Sequence, residues 1–218
     1  MTGFTGVPVD ALDFYDDLEQ DNSKVFWTAH KERYETSVRA PVEALAAALE
    51  HEFGAAKLFR PYRDVRFAKD KTPYKTHQGA FVQTAPACGL YLEVNAAGLR
   101  TGAGWYHAEP AAKRRFREAV DDDASGRALV ALLDEAATHG FEVGGDRVKT
   151  SPRGWDADHP RIGLLRHNTL TLGKVYENPA WLATPETLER VAADWRAARP
   201  LLDWQSRHVV GALDDADV

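Results

Sequence analysis

Apolar positions in the first fifty residues recur at helical spacing. Two stripes are formed by Val9, Leu12, Tyr15 and Leu18 and by Phe26, His30, Tyr34 and Val38. Such spacing is typical of amphipathic helices. The polar residues 21–23 (DNS) can cap the second helix, Pro41 suits a first helical turn, and Gly54 offers an end. We therefore predict a helical N-terminal region.

From about residue 60 to residue 106 the apolar positions alternate with a period of two. The alternating stretches are Val65 with Phe67, residues 79–84 (GAFVQT), residues 90–94 and residues 99–105. This alternation is typical of strands with one buried face. The short connection at residues 95–98 requires its two strands to be antiparallel neighbours. The region is therefore predicted to form a sheet.

The second half of the chain begins with two helical segments, 110–120 and 125–139, the second capped by Ser125. Residues 141–149 (FEVGGDRVK) predict a hairpin, because Gly144 and Gly145 tolerate the positive φ angles of a two-residue turn. Residues 150–160 (TSPRGWDADHP) are rich in turn-forming residues and predict an ordered loop.

The C-terminal part predicts one more strand and then helices. The strand is residues 170–176 (LTLGKVY), and a helix begins at Thr184 with Pro185 behind it. We expect Arg199 and Pro200 to end that helix before a last one. This order favours an α+β fold, with a mainly antiparallel sheet covered by helices. We predict a single domain over residues 1–213 and a frayed tail over residues 214–218.

Composition narrows the setting of the protein. Its 218 residues, 44% of them hydrophobic, suffice for one sizeable core. No run approaches the roughly 18 apolar residues of a membrane span, and the N-terminus lacks the pattern of a signal peptide. We therefore expect a cytoplasmic protein without membrane association. Cys88 is the only cysteine, which excludes an internal disulfide and a cysteine-based zinc site.

Charge is segregated along the chain. Residues 60–75 (RPYRDVRFAKDKTPYK) hold six basic residues against Asp64 and Asp70, a local charge of +4, whereas the whole chain carries -6 and the remainder therefore -10. An acidic body disfavours binding to duplex nucleic acid, but a local positive patch can hold a small anion.

The basic segment divides into two parts. In residues 62–67 (YRDVRF) we predict a strand that turns Val65 and Phe67 to the core, with an Asp64–Arg66 ion pair. In residues 68–75 (AKDKTPYK), Asp70 alone cannot pair all three lysines, and Tyr74 adds an aromatic surface beside them. The alternative is purely structural: the charges are solvated or ion-paired, and the tyrosine packs.

Other candidate chemistry is weaker. The 150–160 loop contains Arg153 and His159, which could complete an anion site, and either His159 or His107 could carry a proton. A turn-forming role explains His159 equally well. No histidine spacing suits a metal, and the phosphate-loop, dinucleotide and serine-hydrolase motifs are missing, so we expect no metal and no cofactor.

Residues 63–77 (RDVRFAKDKTPYKTH) resemble the signature of the bacterial and fungal family DUF2461. The likeness covers nearly the whole chain and includes residues 18–45, GAGWYHAEP (102–110) and VKTSPRGWDADHP (148–160). Two departures are the order Phe26-Trp27 and the less basic stretch 165–168. The resemblance implies an α+β fold and an intracellular bacterial setting, and it brings no activity with it.

Two functions follow as hypotheses. The first is a pocket for a small phosphate- or carboxylate-bearing ligand, in a binding protein or an enzyme. Its predicted residues are Arg63, Arg66, Lys69, Lys71, Tyr74 and Lys75, with Arg153 and His159. The second is a non-enzymatic module in which the basic segment contacts an acidic protein partner or a second copy of the chain.

Overall fold

The structure is a computed structural model that describes residues 3–66, 69–107 and 109–210. It confirms an α+β fold. The α-helices are α1 (Asp10–Gln20), α2 (Lys24–Arg33), α3 (Ala40–Phe53), α4 (Pro110–Asp121), α5 (Asp123–Thr138), α6 (Ile162–Leu165) and α7 (Glu186–Gln205). The strands are β1 (Lys57–Leu58), β2 (His77–Ala85), β3 (Cys88–Asn95), β4 (Gly98–Trp105), β5 (Glu142–Gly144) and β6 (Leu170–Glu177).

The six strands form one antiparallel sheet in the order β1-β2-β3-β4-β6-β5. The β2–β3 and β3–β4 connections are short turns, as antiparallel neighbours allow. At one edge Lys57 of β1 pairs with Phe81 of β2. At the other edge Val143 of β5 pairs with Leu172 of β6. The sheet predicted from the alternating stretches is thus confirmed for β2, β3 and β4.

The N-terminal helices follow the predicted caps. The Ser23 hydroxyl accepts a hydrogen bond from the Phe26 amide at 3.1 Å and starts α2. A π-helical turn, Tyr34–Arg39, leads directly into α3, which ends at Gly54 with a φ of +93°. In the first stripe Val9 is 53% exposed, so the buried face of α1 begins only at its later apolar positions.

The described chain forms two compact units. The first comprises Met1–Val82, Tyr91–Thr101 and Val175–Ala193. Within it, helices and strands share a core that includes Phe14, Tyr15, Tyr34, Leu45 and Leu92. The Tyr34 hydroxyl donates to Gln78 Oε1 at 2.6 Å, which fixes the inner face of β2 toward the helices.

The second unit comprises Gln83–Leu90, Gly102–Lys174 and Asp194–Val218. Its core includes Trp105, Phe116, Leu129 and Trp195, all fully buried. The prediction of a single domain over residues 1–213 stays a prediction, and the tail at 214–218 lies outside the described residues.

The predicted hairpin at residues 141–149 is wrong. Gly144 and Gly145 do not join two local strands, because β5 pairs with β6 instead. Gly145 has a φ of +112°, and a Cβ there would lie 2.2 Å from the Thr169 carbonyl oxygen. Glycine is therefore required at position 145 because a distant part of the backbone approaches closely, and not because the chain makes a tight turn there.

Two helix boundaries also differ from prediction. The cap of α5 is Asp122, whose Oδ1 accepts from the amides of Ala124 and Ser125, so the helix starts before the expected Ser125. The last long helix, α7, runs through Pro200 to Gln205. Because residues on both sides of Pro200 are buried, packing offsets the hydrogen bond that proline cannot donate.

No helix in residues 3–66, 69–107 or 109–210 is long and apolar enough to cross a bilayer.

Candidate functional site

The basic segment is folded back on itself rather than extended into a strand. Its described residues form no regular strand, and a single antiparallel bridge joins Tyr62 to Tyr74. The Arg63 amide donates to the Pro73 carbonyl at 2.9 Å, and the Lys75 amide donates to the Pro61 carbonyl at 2.7 Å. The predicted strand at residues 62–67 is therefore wrong. The two ends of the segment meet instead, which places Arg63 beside Lys75.

Tyr74 anchors this fold. The Asn22 side chain donates to the Tyr74 carbonyl and accepts from its amide, both at 3.1 Å. The Tyr74 ring is stacked on Trp27 at 4.3 Å between centroids and 8° between planes, and the residue is only 5% exposed. Tyr74, predicted as a ligand surface, is thus used for packing.

Much of the positive charge in the segment is paired internally. Arg66 binds Asp64 with 2.6 Å between Nη2 and Oδ2, as the sequence predicted. Arg63 Nη1 donates to Asp70 and to the Thr72 hydroxyl. Hydrogen bonds from the Thr72 amide and from Arg63 lower the pKa of Asp70 to about 2.

The lysines have different surroundings. Lys71 Nζ donates to the Val65 carbonyl at 2.9 Å, and Lys69 is exposed. Asp70, which was expected to pair with the lysines, forms an ion pair with Arg63 instead. Val65 is half-buried, and Phe67, the other predicted core residue of the strand, lies outside the described residues.

An open cleft of about 440 Å³ lies where the two ends of the segment meet. It is lined by Arg63, Asp64, Lys75, Thr76 and His77. Two of the predicted ligand residues, Arg63 and Lys75, are thus brought together, whereas Arg66, Lys69 and Lys71 are not part of the lining. His77 and Thr76 were not predicted.

Burial and nearby charges shift the pKa values of two side chains in the cleft. Lys75 Nζ lies 5.0 Å from the centre of the Phe59 ring, and burial followed by the charge of Arg60 lowers the pKa of Lys75. Burial is also the largest cause that lowers the pKa of His77. The charges of Lys75 and Arg63 lower it further, whereas that of Glu93 acts in the opposite direction. The site therefore holds Arg63 and Lys75 beside an imidazole whose protonated form is disfavoured by burial and by these two cations.

The outer face of β2 continues the site away from the cleft. Gln78 points to the helices, so His77 and Gly79 lie on the opposite face. A Cβ at Gly79 would lie 2.9 Å from the Tyr91 hydroxyl and 3.0 Å from the Phe59 ring, so glycine makes room for both rings. The Tyr91 hydroxyl donates to Glu93 Oε2 at 2.6 Å, which holds this carboxylate on the same face of the sheet.

The two residues predicted from the 150–160 loop lie in the second unit. Arg153 is exposed, and His159 Nε2 lies 3.1 Å from Asp121 Oδ1. The Nδ1 atom of His159 accepts from the Arg161 amide, so the proton of the neutral ring is on Nε2. These bonds assign His159 a structural role in its own unit. Its participation in an anion site with Lys75 stays a prediction.

Two other residues considered in the sequence have ordinary surroundings. His107 and Glu109 are both largely exposed, with 3.2 Å between Nε2 and Oε1. Cys88 is buried, and burial raises the pKa of its thiol to about 12, so the thiol stays protonated and unreactive at neutral pH. Within the described residues, no group of three or more histidine, cysteine and acidic side chains could hold a metal ion.

The fold and the cleft define an α+β protein in which Arg63, Lys75 and His77 line a cleft at the start of β2. The model of the family described as "Conserved hypothetical protein (DUF2461)" matches residues 10–204, and the chain belongs to this family. No significant match was found among curated proteins or solved structures.

Proposed function

We propose that the cleft lined by Arg63, Lys75 and His77 binds a small anionic ligand that carries a phosphate or carboxylate group. The observation that carries this proposal is the convergence of these three side chains on one open cleft. Its volume of about 440 Å³ is within the roughly 300–1,000 Å³ of typical ligand sites. It also exceeds the needs of an inorganic ion alone, so the anionic group would belong to a larger molecule.

The donors in the cleft suit this role. Among the described residues, both side-chain hydrogen bonds of Arg63 start at Nη1, and a guanidinium has three further N–H donors on Nε and Nη2. Asp64 lines the cleft, but Arg66 compensates its charge. Lys75 has no carboxylate partner among the described ion pairs. Its ammonium group instead makes a cation–π contact with the Phe59 ring. An arriving anion would therefore meet donors already held in place by the fold of the segment.

Replacing Lys75 with methionine tests the proposal directly. Lys69→Met is the matched control, because it removes the same charge from an exposed position outside the cleft. A ligand at one hundred times its dissociation constant stabilises the native state by about 2.7 kcal/mol, which raises the melting temperature by roughly 5–10 °C for a chain of this length. The measurement is a thermal-shift panel of phosphates, sugar phosphates, nucleotides and carboxylates.

We expect at least one of these compounds to stabilise the wild type and Lys69→Met equally and to lose most of its effect on Lys75→Met. Equal shifts in both variants would place the binding elsewhere and overturn the proposal. The other function expected from the sequence, a charged surface for a protein partner, stays a prediction.

A further inference from the structure

The cleft is lined by a titratable side chain, His77, together with two cationic side chains. His77 begins β2 and lines the cleft with Arg63 and Lys75. Glu93, on β3, is the acidic group whose charge favours the protonated imidazole. Arg63, Lys75 and Glu93 are the charged groups that act on the ring, and the Asp64 carboxylate also lines the cleft. Whether the ring carries a proton therefore depends on which charges occupy the cleft.

We propose that His77 takes up a proton when a dianionic group, a phosphate or sulfate, binds beside Arg63 and Lys75. The proposal rests on the function proposed above and adds both the charge of the ligand and its coupling to pH. Without a ligand, burial and two neighbouring cations keep the imidazole neutral at pH 7, and its pKa is lowered accordingly. A dianion bound in the cleft places negative charge beside the imidazole and so favours its protonated form.

The contacts of Glu93 leave its negative charge available to stabilise a protonated His77 imidazole. Its Oε2 accepts from the Tyr91 hydroxyl at 2.6 Å and its Oε1 from the Asn95 side chain at 2.9 Å. Both donors are neutral, so they hold the carboxylate in place without cancelling its charge. Glu93 therefore remains a partial counter-charge for a protonated His77.

The charges in the cleft favour a dianion over a monoanion. Lys75 supplies a positive charge without a carboxylate partner among the described ion pairs, Arg63 supplies a second that Asp70 partly offsets, and the Asp64 carboxylate in the lining is paired with Arg66. A protonated His77 would add a third positive charge, and the Thr76 hydroxyl supplies a further neutral donor. A tetrahedral oxyanion can accept from several of these donors at once, whereas a carboxylate offers only two oxygens.

The sign of the pH dependence follows from linkage. In the free protein the pKa of His77 is lowered, and in the complex it is raised. Affinity therefore increases as the pH falls through the interval between these two values, and it levels off below the lower one. The steepest possible change is about tenfold per pH unit for one proton.

Calorimetric titration with sulfate tests this inference. Sulfate is fully ionised throughout the pH range of a folded protein, so any pH dependence reports the protein and not the ligand. We expect the affinity of the wild type to rise about three- to tenfold per unit as the pH falls from about 7.5 to about 5.5, around the ordinary histidine pKa of about 6.5. His77→Gln should bind with an affinity that is independent of pH, and His51→Gln, changed on the exposed side of α3, should behave as the wild type.

A second measurement needs no variant. Repeating the wild-type titration in buffers with different ionisation enthalpies gives the number of protons taken up, which we expect to approach one per bound sulfate within that interval. No uptake by the wild type, or an equal pH slope in His77→Gln, would overturn the coupling while leaving anion binding intact. Failure of the wild type to bind either sulfate or phosphate would overturn the preference for a dianion, and failure of every compound in the thermal-shift panel would overturn the function on which the coupling rests.

Discussion

Replacing Arg161 with alanine should lower the free energy of unfolding by about 3 kcal/mol, and the melting temperature by roughly 6–12 °C. The Arg161 side chain is only 10% exposed and donates to the Val120 carbonyl at 2.6 Å and the Asp121 carbonyl at 2.8 Å. It thereby satisfies the last carbonyl groups of α4, and a third bond at 3.0 Å reaches Asp123 at the start of α5. Alanine would leave the partly buried Val120 carbonyl without this donor and would remove the buried part of the arginine side chain.

Arg127→Ala is the matched control for this change. Arg127 also binds Asp123, at 2.8 Å, but it is largely exposed and spaced four residues away on the same helix. Exposed pairs of this kind contribute well under 1 kcal/mol. Denaturant unfolding of the two variants should therefore separate them clearly. Similar losses in both would mean that Arg161 does not cap α4 in solution.

Replacing Trp27 with alanine should cost about 3–5 kcal/mol and abolish anion binding in the cleft. Trp27 is 4% exposed and contacts Phe14, Tyr34 and Tyr62 as well as the stacked ring of Tyr74. Because Tyr74 anchors one end of the basic segment, loss of the stack removes the support that places Arg63 beside Lys75. The measurements are denaturant unfolding and a sulfate titration under conditions in which the variant remains folded.

Trp27→Phe distinguishes stacking from hydrogen bonding. The indole N–H of Trp27 is buried and has no acceptor among the described residues. Phenylalanine keeps a ring on Tyr74 and removes that N–H, so we expect less than half of the loss seen with alanine and retention of anion binding. Equal destabilisation by both substitutions would show that the N–H is bonded in solution.

The periodicity of the sequence was sufficient to predict those helices and strands that bury one face along their own length. The helical stripes predicted α1 and the helical stretch 26–38, and alternation predicted β2 to β4, because these elements bury one face. In α2, however, the buried residue is Trp27 rather than Phe26 or His30 of the predicted stripe. Alternation predicted the wrong structure for residues 62–67. The segment is folded back instead, and it is held by the Tyr62–Tyr74 bridge and by the Asp64–Arg66 and Arg63–Asp70 ion pairs.

Long-range contacts explain the other errors in the fold. Gly144 and Gly145 are typical of a hairpin turn, yet the partner of β5 is β6, some thirty residues further along the chain, which no local signal indicates. Pro200 is typical of a helix end, but α7 continues because Leu201, Leu202 and Trp204 are buried after it.

The candidate site was predicted only in part, again because it depends on contacts between residues that are far apart in the sequence. The sequence identified Arg63 and Lys75 as cations, but their proximity depends on backbone bonds across the segment and on Asn22, which is fifty-two residues from Tyr74. His77 was not predicted, because it lies beyond the last lysine of the basic segment. The alternation of β2 could have found it, since His77 and Gly79 share the face opposite Gln78.

Binding of an anion beside Lys75 and His77 should be visible in an NMR titration of the wild type with sulfate. The measurement follows the imidazole signals of the histidines and the ammonium signal of Lys75 in ¹H–¹⁵N spectra. We predict that the His77 and Lys75 signals move together and saturate with one dissociation constant, while the signal of His51, on the exposed side of α3, stays in place. Unmoved His77 and Lys75 signals, or shifts of all histidines in proportion to ionic strength, would contradict the account.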